Sequence, residues 1–142
     1  MGRSGIMKDK EMVYINDHKH REVLANNEYK GYKYYVLSLG THPTAYIEIP
    51  YGDKFFGRNY MDIPCLPVNG GPTYSADHLC ITNEITIDDS WFIGWDYAHY
   101  EDYIELGDLS LLLGNKKWTT KEMKDECERA IDYIIEENSK HE

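Results

Sequence analysis

At 142 residues with 42% hydrophobic content, the chain is long enough to bury a core without disulfide or metal staples, and one domain is the default. Its 25 acidic against 15 basic side chains give a formal charge of −10, which repels phosphate backbones and anionic headgroups; with no basic stripe to offset it, nucleic acid and membranes are excluded as partners. Cys65, Cys80 and Cys127 are too few and too scattered for a disulfide framework or a zinc motif. Nothing near the N-terminus resembles a signal peptide and no apolar run spans a bilayer, so a reducing cytoplasm is the expected compartment.

In chain order, residues 1–12 mix Gly, Ser and Lys without periodicity and read as a flexible leader, leaving 13–142 as a single domain. Asn16 or Asp17 can cap a short helix running to about Leu24 and ending at Asn26-Asn27. The run Tyr32 to Leu39 is dense in β-formers. Residues 44–49 then alternate Ala45, Ile47 and Ile49 against Tyr46 and Glu48, the period of a half-buried strand. Residues 51–64 read as an irregular loop with Phe55 or Phe56 tucked inward.

Asn69-Gly70-Gly71-Pro72 lies between CLPV and TYS, and Asn-Gly is a strong hairpin signal because both residues accept positive φ. A second hairpin is expected from a strand over Ile81 to Ile87, a turn at Asp88-Asp89-Ser90, and a strand over residues 91–97, WFIGWDY. The clearest element is C-terminal. Thr119 and Glu122 match a capping box, and Trp118 can staple onto Met123. Met123, Cys127, Ala130, Ile131, Ile134 and Ile135 form an apolar stripe ending near Asn138. The acidic side chains Glu122, Asp125, Glu126, Glu128, Asp132, Glu136 and Glu137 read as a solvated face. The expected fold is α+β: a mostly antiparallel sheet of about five strands with this helix packed on one face.

Two segments, VNGGPTYS (68–75) and WFIGWDYAHYED (91–102), followed by a capped helix bearing KDECERA (124–130), resemble a group of small phage and prophage proteins of unassigned activity. Their typical wording is HGGLTYS, then WWIGFDCAHxGD, then a helix with an acidic start. Here Asn69 stands for the usual His, Pro72 for an aliphatic residue, Trp95 for Phe, Tyr97 for Cys and Glu101 for Gly. The resemblance implies a phage-type accessory protein, such as those that counter host defence.

The densest polar constellation is Asp96, His99, Glu101 and Asp102, at the end of the Trp-rich strand, where rigid scaffolds present chemistry. Three readings are open. Asp96 accepts backbone N–H bonds and His99 completes a buried polar knot. Asp96, His99 and Asp102 hold a divalent metal, such as Mn, Zn or Mg, or act as acid and base. Or Trp95, Tyr97 or Tyr100 stacks on a ligand whose polar edge is held by Asp96 and His99, with Asn69, Gly70, Gly71 and Tyr74 nearby.

The chain lacks a nucleophile elbow, an HExxH motif and a Walker loop. The leading expectation is therefore a protein that binds a small, nucleotide-like ligand or a host protein. The alternative is a metal-assisted hydrolase of a phosphate-containing small molecule. Tyrosine-rich edges also allow a homo-oligomer.

Overall fold

The computed structural model describes residues 8–107 and 116–140. Most of the expected leader, and the apolar run Leu111-Leu112-Leu113, lie outside those residues. Five strands, β1 (Glu22–Tyr29), β2 (Tyr32–Ser38), β3 (Pro43–Ile49), β4 (Tyr74–Cys80) and β5 (Thr86–Asp96), form one antiparallel sheet in the order β1-β2-β3-β5-β4. One helix, α1 (Thr120–Ser139), packs on it. The fold is α+β, as the periodicities predict.

The short helix expected from Asn16 or Asp17 to about Leu24 does not form: residues 16–21 run as bend and turn, and β1 takes over at Glu22. Lys30 and Gly31 both have positive φ, the geometry of a two-residue hairpin turn whose twist matches that of the flanking strands, and Tyr29 pairs with Tyr32 across it. The register shifts between Val23 and Ala25. This bulge breaks the alternation, so Val23 joins one face of the sheet while Leu24 and Ala25 join the other.

Each face has its own core. Leu24, Tyr34, Val36, Ala45, Ile47, Ile49, Ile93 and Trp95 meet Met123, Cys127, Ala130, Ile131 and Ile134 of α1. Phe55 tucks into this core while Phe56 packs at its margin. The second face gathers Val23, Tyr35, Leu37, Tyr46, Leu79 and Phe92, and no helix lies there among the described residues. It is closed by the far half of the β4–β5 hairpin instead. Ala76 pairs with Phe92 but His78 pairs with Asp88, so Asp77 alone is set against Asp89, Ser90 and Trp91, and Asp89 takes a φ of 60°. This large bulge bends the hairpin over the sheet. Leu79, Ile81 and Ile87 thereby reach the second core, and Thr82 near the tip shares a cleft with Val23 of β1, at the opposite edge of the strand order.

Both hairpin expectations shift accordingly. Residues 88–90 lie within β5, Asp88 paired with His78 and Asp89 and Ser90 in the bulge, and the turn falls earlier, where Ile81 and Thr82 N–H donate to the Ile85 carbonyl. CLPV forms no strand. Gly70 and Gly71 close a turn in which the Gly71 N–H donates to the Val68 carbonyl, delivering the chain to β4 without a hairpin.

Helix α1 begins as expected, with both bonds of the Thr119–Glu122 capping box formed. The described part of the leader is tied down. The Lys10 N–H donates to the Leu24 carbonyl, Lys124 pairs with Asp9, and the Thr120 N–H and hydroxyl donate to the Glu11 carboxylate and the Lys10 carbonyl.

Candidate functional site

Three chain segments meet at one end of the sheet: the turn at Asn69-Gly70, the loop after β5 from His99 to Asp102, and the approach to α1 at Lys116 and Trp118. Together they line an open cleft of about 390 Å³. A short parallel bridge, in which the Tyr103 N–H donates to the Lys116 carbonyl and the Lys116 N–H to that of Glu101, fastens the loop to the helix approach.

Beneath the cleft lies Asp102, 4% exposed. A buried carboxylate needs donors, and three converge on it. Asn69 Nδ2 donates to Oδ2 at 2.7 Å, the His99 backbone N–H donates to the same oxygen at 2.9 Å, and the Trp118 indole N–H donates to Oδ1 at 2.9 Å. Those donors come from positions 33, 3 and 16 residues away, so one carboxylate ties together all three segments. Asp102 also closes a turn on the His99 carbonyl.

His99 sits above this knot, its Nδ1 3.5 Å from both Asp96 Oδ1 and Asp102 Oδ2. The two amide hydrogens of Asn69 are taken by Asp102 and by the Asp96 carbonyl at 3.3 Å. Asn69 Nδ2 also lies 3.3 Å from His99 Nδ1, and the direction of that contact follows the tautomer of the ring. The Nε2–Cε1 edge rests on Gly70, where an added Cβ would stand 2.2 Å from Nε2. Gly70 is thus required twice, by this approach and by its φ of +71°. Lys116 Nζ lies 4.2 Å from the centre of the Trp118 ring and pairs with Glu122 at 3.1 Å. Tyr97 packs against the same indole, with ring centres 4.8 Å apart.

The predicted site residues divide sharply. Asn69, Gly70, His99, Tyr100 and Asp102 line the cleft, together with Glu101; Tyr100 is 91% exposed. Asp96 ends β5 half-buried, accepts the Ala98 N–H, and supports His99 without lining the cleft. Gly71 continues the turn outside it.

Tyr74 belongs elsewhere. Tyr46, Gly94 and Tyr74 are neighbours across three strands, and the two rings meet edge to face at 5.2 Å. A Cβ on Gly94 would stand 2.3 Å from the Tyr46 ring.

Trp95 and Tyr97 are corrected as stacking candidates. Both are fully buried, with no ring face open to a ligand, and their polar tips serve a second network. The Trp95 indole N–H donates to the Tyr97 hydroxyl at 2.9 Å and to Glu126 at 3.2 Å, and the Tyr97 hydroxyl donates to Glu126 at 2.5 Å. Burial, then the Cys127 thiol and the Glu126 charge, push the Tyr97 hydroxyl pKa well above its ordinary value. Glu126 is therefore no member of a solvated face. Its spacing was the overlooked signal, since it falls three residues after Met123 and four before Ala130, on the apolar stripe. Nor is the rest of that face idle, because Glu128 and Asp132 accept the hydroxyls of Tyr34 and Tyr29.

Asp96 lies on the opposite side of β5 from the helix, since Ile93 and Trp95 face α1 while Phe92 faces the second core. Its nearest titratable company includes His42, pushed down by burial while the charges of Asp96 and Asp102 pull it back up. Lys116 and Trp118 are the cleft residues that sequence reasoning missed. The sequence pattern places Trp118 as a staple on Met123, and only its indole N–H marks it as needing a buried acceptor.

The donor set does not fit a metal. Asp102 Oδ2 already accepts two N–H bonds and Oδ1 accepts the Trp118 indole, which leaves one lone-pair direction of four for a cation. Among the described residues no group of three or more His, Cys, Asp or Glu is arranged to hold an ion, and no described helix is long and apolar enough to cross a membrane. No family model, curated protein or solved structure matches the chain.

Proposed function

We propose that this is a non-enzymatic binding protein of phage type, working in the host cytoplasm, whose cleft over Asp102 receives a small ligand with a flat, nucleotide-like ring. The phage assignment rests on the resemblance of residues 68–75 and 91–102 to that group. The binding assignment rests on one observation: a buried carboxylate that accepts three N–H donors from separate segments holds an open cleft in place. Rigid placement of this kind lowers the ordering cost of a ligand.

The groups left at the cleft suit recognition. Tyr100 offers an exposed ring, His99 an imidazole, Glu101 a carboxylate and Lys116 a cation. The hydrolase alternative would need Asp96, His99 and Asp102 to ligate a metal, and the commitments of Asp102 speak against it.

Thermal melts of the full chain with AMP, UMP, adenosine, MgCl2, MnCl2 and ZnCl2 separate the two, because a ligand bound only by the folded state raises Tm. The binding reading expects a concentration-dependent rise with at least one nucleotide or nucleoside and none with the metals. A rise with metal alone would overturn it.

A further inference from the structure

The bent β4–β5 hairpin creates a second cleft, separate from the one over Asp102. Thr82 comes up beside Arg21, Glu22 and Val23, and with Lys10 they line an open cleft of about 340 Å³. Arg21 is partly buried, and it makes no hydrogen bond or ion pair with any described residue, in a chain with 25 carboxylates. A guanidinium carries five N–H donors and no acceptor, and here that fork borders an open cleft and meets no acceptor among the described residues. Its neighbours do not complete it. Glu22 is taken by Lys10 at 2.9 Å and by His20 at 3.3 Å, so that carboxylate is already matched. The charge of Arg21 is felt instead by Tyr46 and Tyr74, whose hydroxyls are pushed up mainly by burial and pulled back in part by the guanidinium.

We propose that this cleft is a binding site for a small organic anion, a carboxylate or phosphate on an apolar body, with Arg21 gripping the oxyanion in a two-pronged hydrogen bond. That geometry is what a planar guanidinium offers and an ammonium does not. Thr82 adds a donor, because its oxygen already accepts the Glu84 and Ile85 N–H groups while its own hydrogen is unspent. Val23 supplies the apolar floor. Since Thr82 belongs to the hairpin and Arg21 immediately precedes β1, the ligand would also pin the bent hairpin onto the sheet.

The test is an amide-resolved NMR titration of the full chain with benzoate, phenyl phosphate and inorganic phosphate. Saturable shifts centred on Arg21, Val23 and Thr82 are expected with benzoate or phenyl phosphate, and the tighter of the two identifies the oxyanion. Arg21→Gln should weaken that binding at least about tenfold and Arg21→Lys by an intermediate factor, through loss of charge-assisted bonds. Neither should lower Tm, because Arg21 has no partner to lose among the described residues; Thr82→Val should weaken binding severalfold. The proposal is overturned if no organic probe moves these amides, if folded Arg21→Gln binds as well as the parent, or if inorganic phosphate binds as tightly as phenyl phosphate.

Discussion

Replacing Asp102 by Asn keeps the shape of the side chain while removing its charge and one acceptor. The best orientation leaves the amide oxygen facing Asn69 and the His99 N–H, and turns the amide NH2 toward the Trp118 indole, donor against donor. Two bonds fall from charge-assisted to neutral, at about 1 kcal/mol each, and one buried donor loses its acceptor, at about 1–3 kcal/mol. The sum is about 3–5 kcal/mol, or roughly 10–17 °C in Tm for a domain of this size. Urea denaturation followed by circular dichroism reads it without depending on tryptophan emission. Trp118→Phe removes the unpaired donor, so a double-mutant cycle should show the pair coupled by about 1–2 kcal/mol. A cost for Asp102→Asn below about 1 kcal/mol, or strict additivity with Trp118→Phe, would refute the claim that this carboxylate holds the cleft together.

Other outcomes follow from the same geometry. Gly94→Ala drives a methyl into the Tyr46 ring and toward the Ala45 carbonyl 2.9 Å away; equilibrium unfolding should show a loss of about 1–3 kcal/mol from overpacking. Gly70→Ala combines a left-handed backbone with a clash on His99, and should cost about 1–2 kcal/mol while abolishing ligand shifts at the cleft. Alkaline pH should unfold the protein. Burial and the Asp102 charge raise Tyr14 to about 12, and burial and Glu48 raise Tyr35 to about 12, from 10. The folded state then holds protons that the unfolded state releases, so this stabilisation is complete below pH 10 and lost as pH climbs toward 12. Tyrosinate absorbance should rise together with loss of the circular dichroism signal.

Where local signals were self-consistent, the chain was readable. β2 and β3 announced themselves through β-formers and alternation, and α1 through its capping box and stripe. The failures have identifiable causes. The bulge at Val23–Ala25 made β1 present three consecutive apolar residues, and the turn lay at Lys30-Gly31 instead of Asn26-Asn27. Asp88-Asp89-Ser90 carried turn chemistry but was used to bend a strand, since Asp89 tolerates positive φ as well in a bulge as in a turn. Asn69 serves through its side-chain donor to Asp102 and has no positive φ. For the site, the acidic and imidazole cluster was visible because its members are near in sequence. Trp118 was not, and although Asn69 was placed at the site, its bond to Asp102 was not legible either, because contacts across 16 and 33 residues leave no local pattern. Burial of Trp95 and Tyr97 likewise depended on which face of β5 met the helix.

The most direct test of the binding account is an amide-resolved NMR titration with AMP. Saturable shifts should cluster at Gly70, His99, Tyr100, Glu101 and Lys116, and should vanish in Gly70→Ala. A nucleotide that raises Tm yet leaves those five amides unmoved would contradict it.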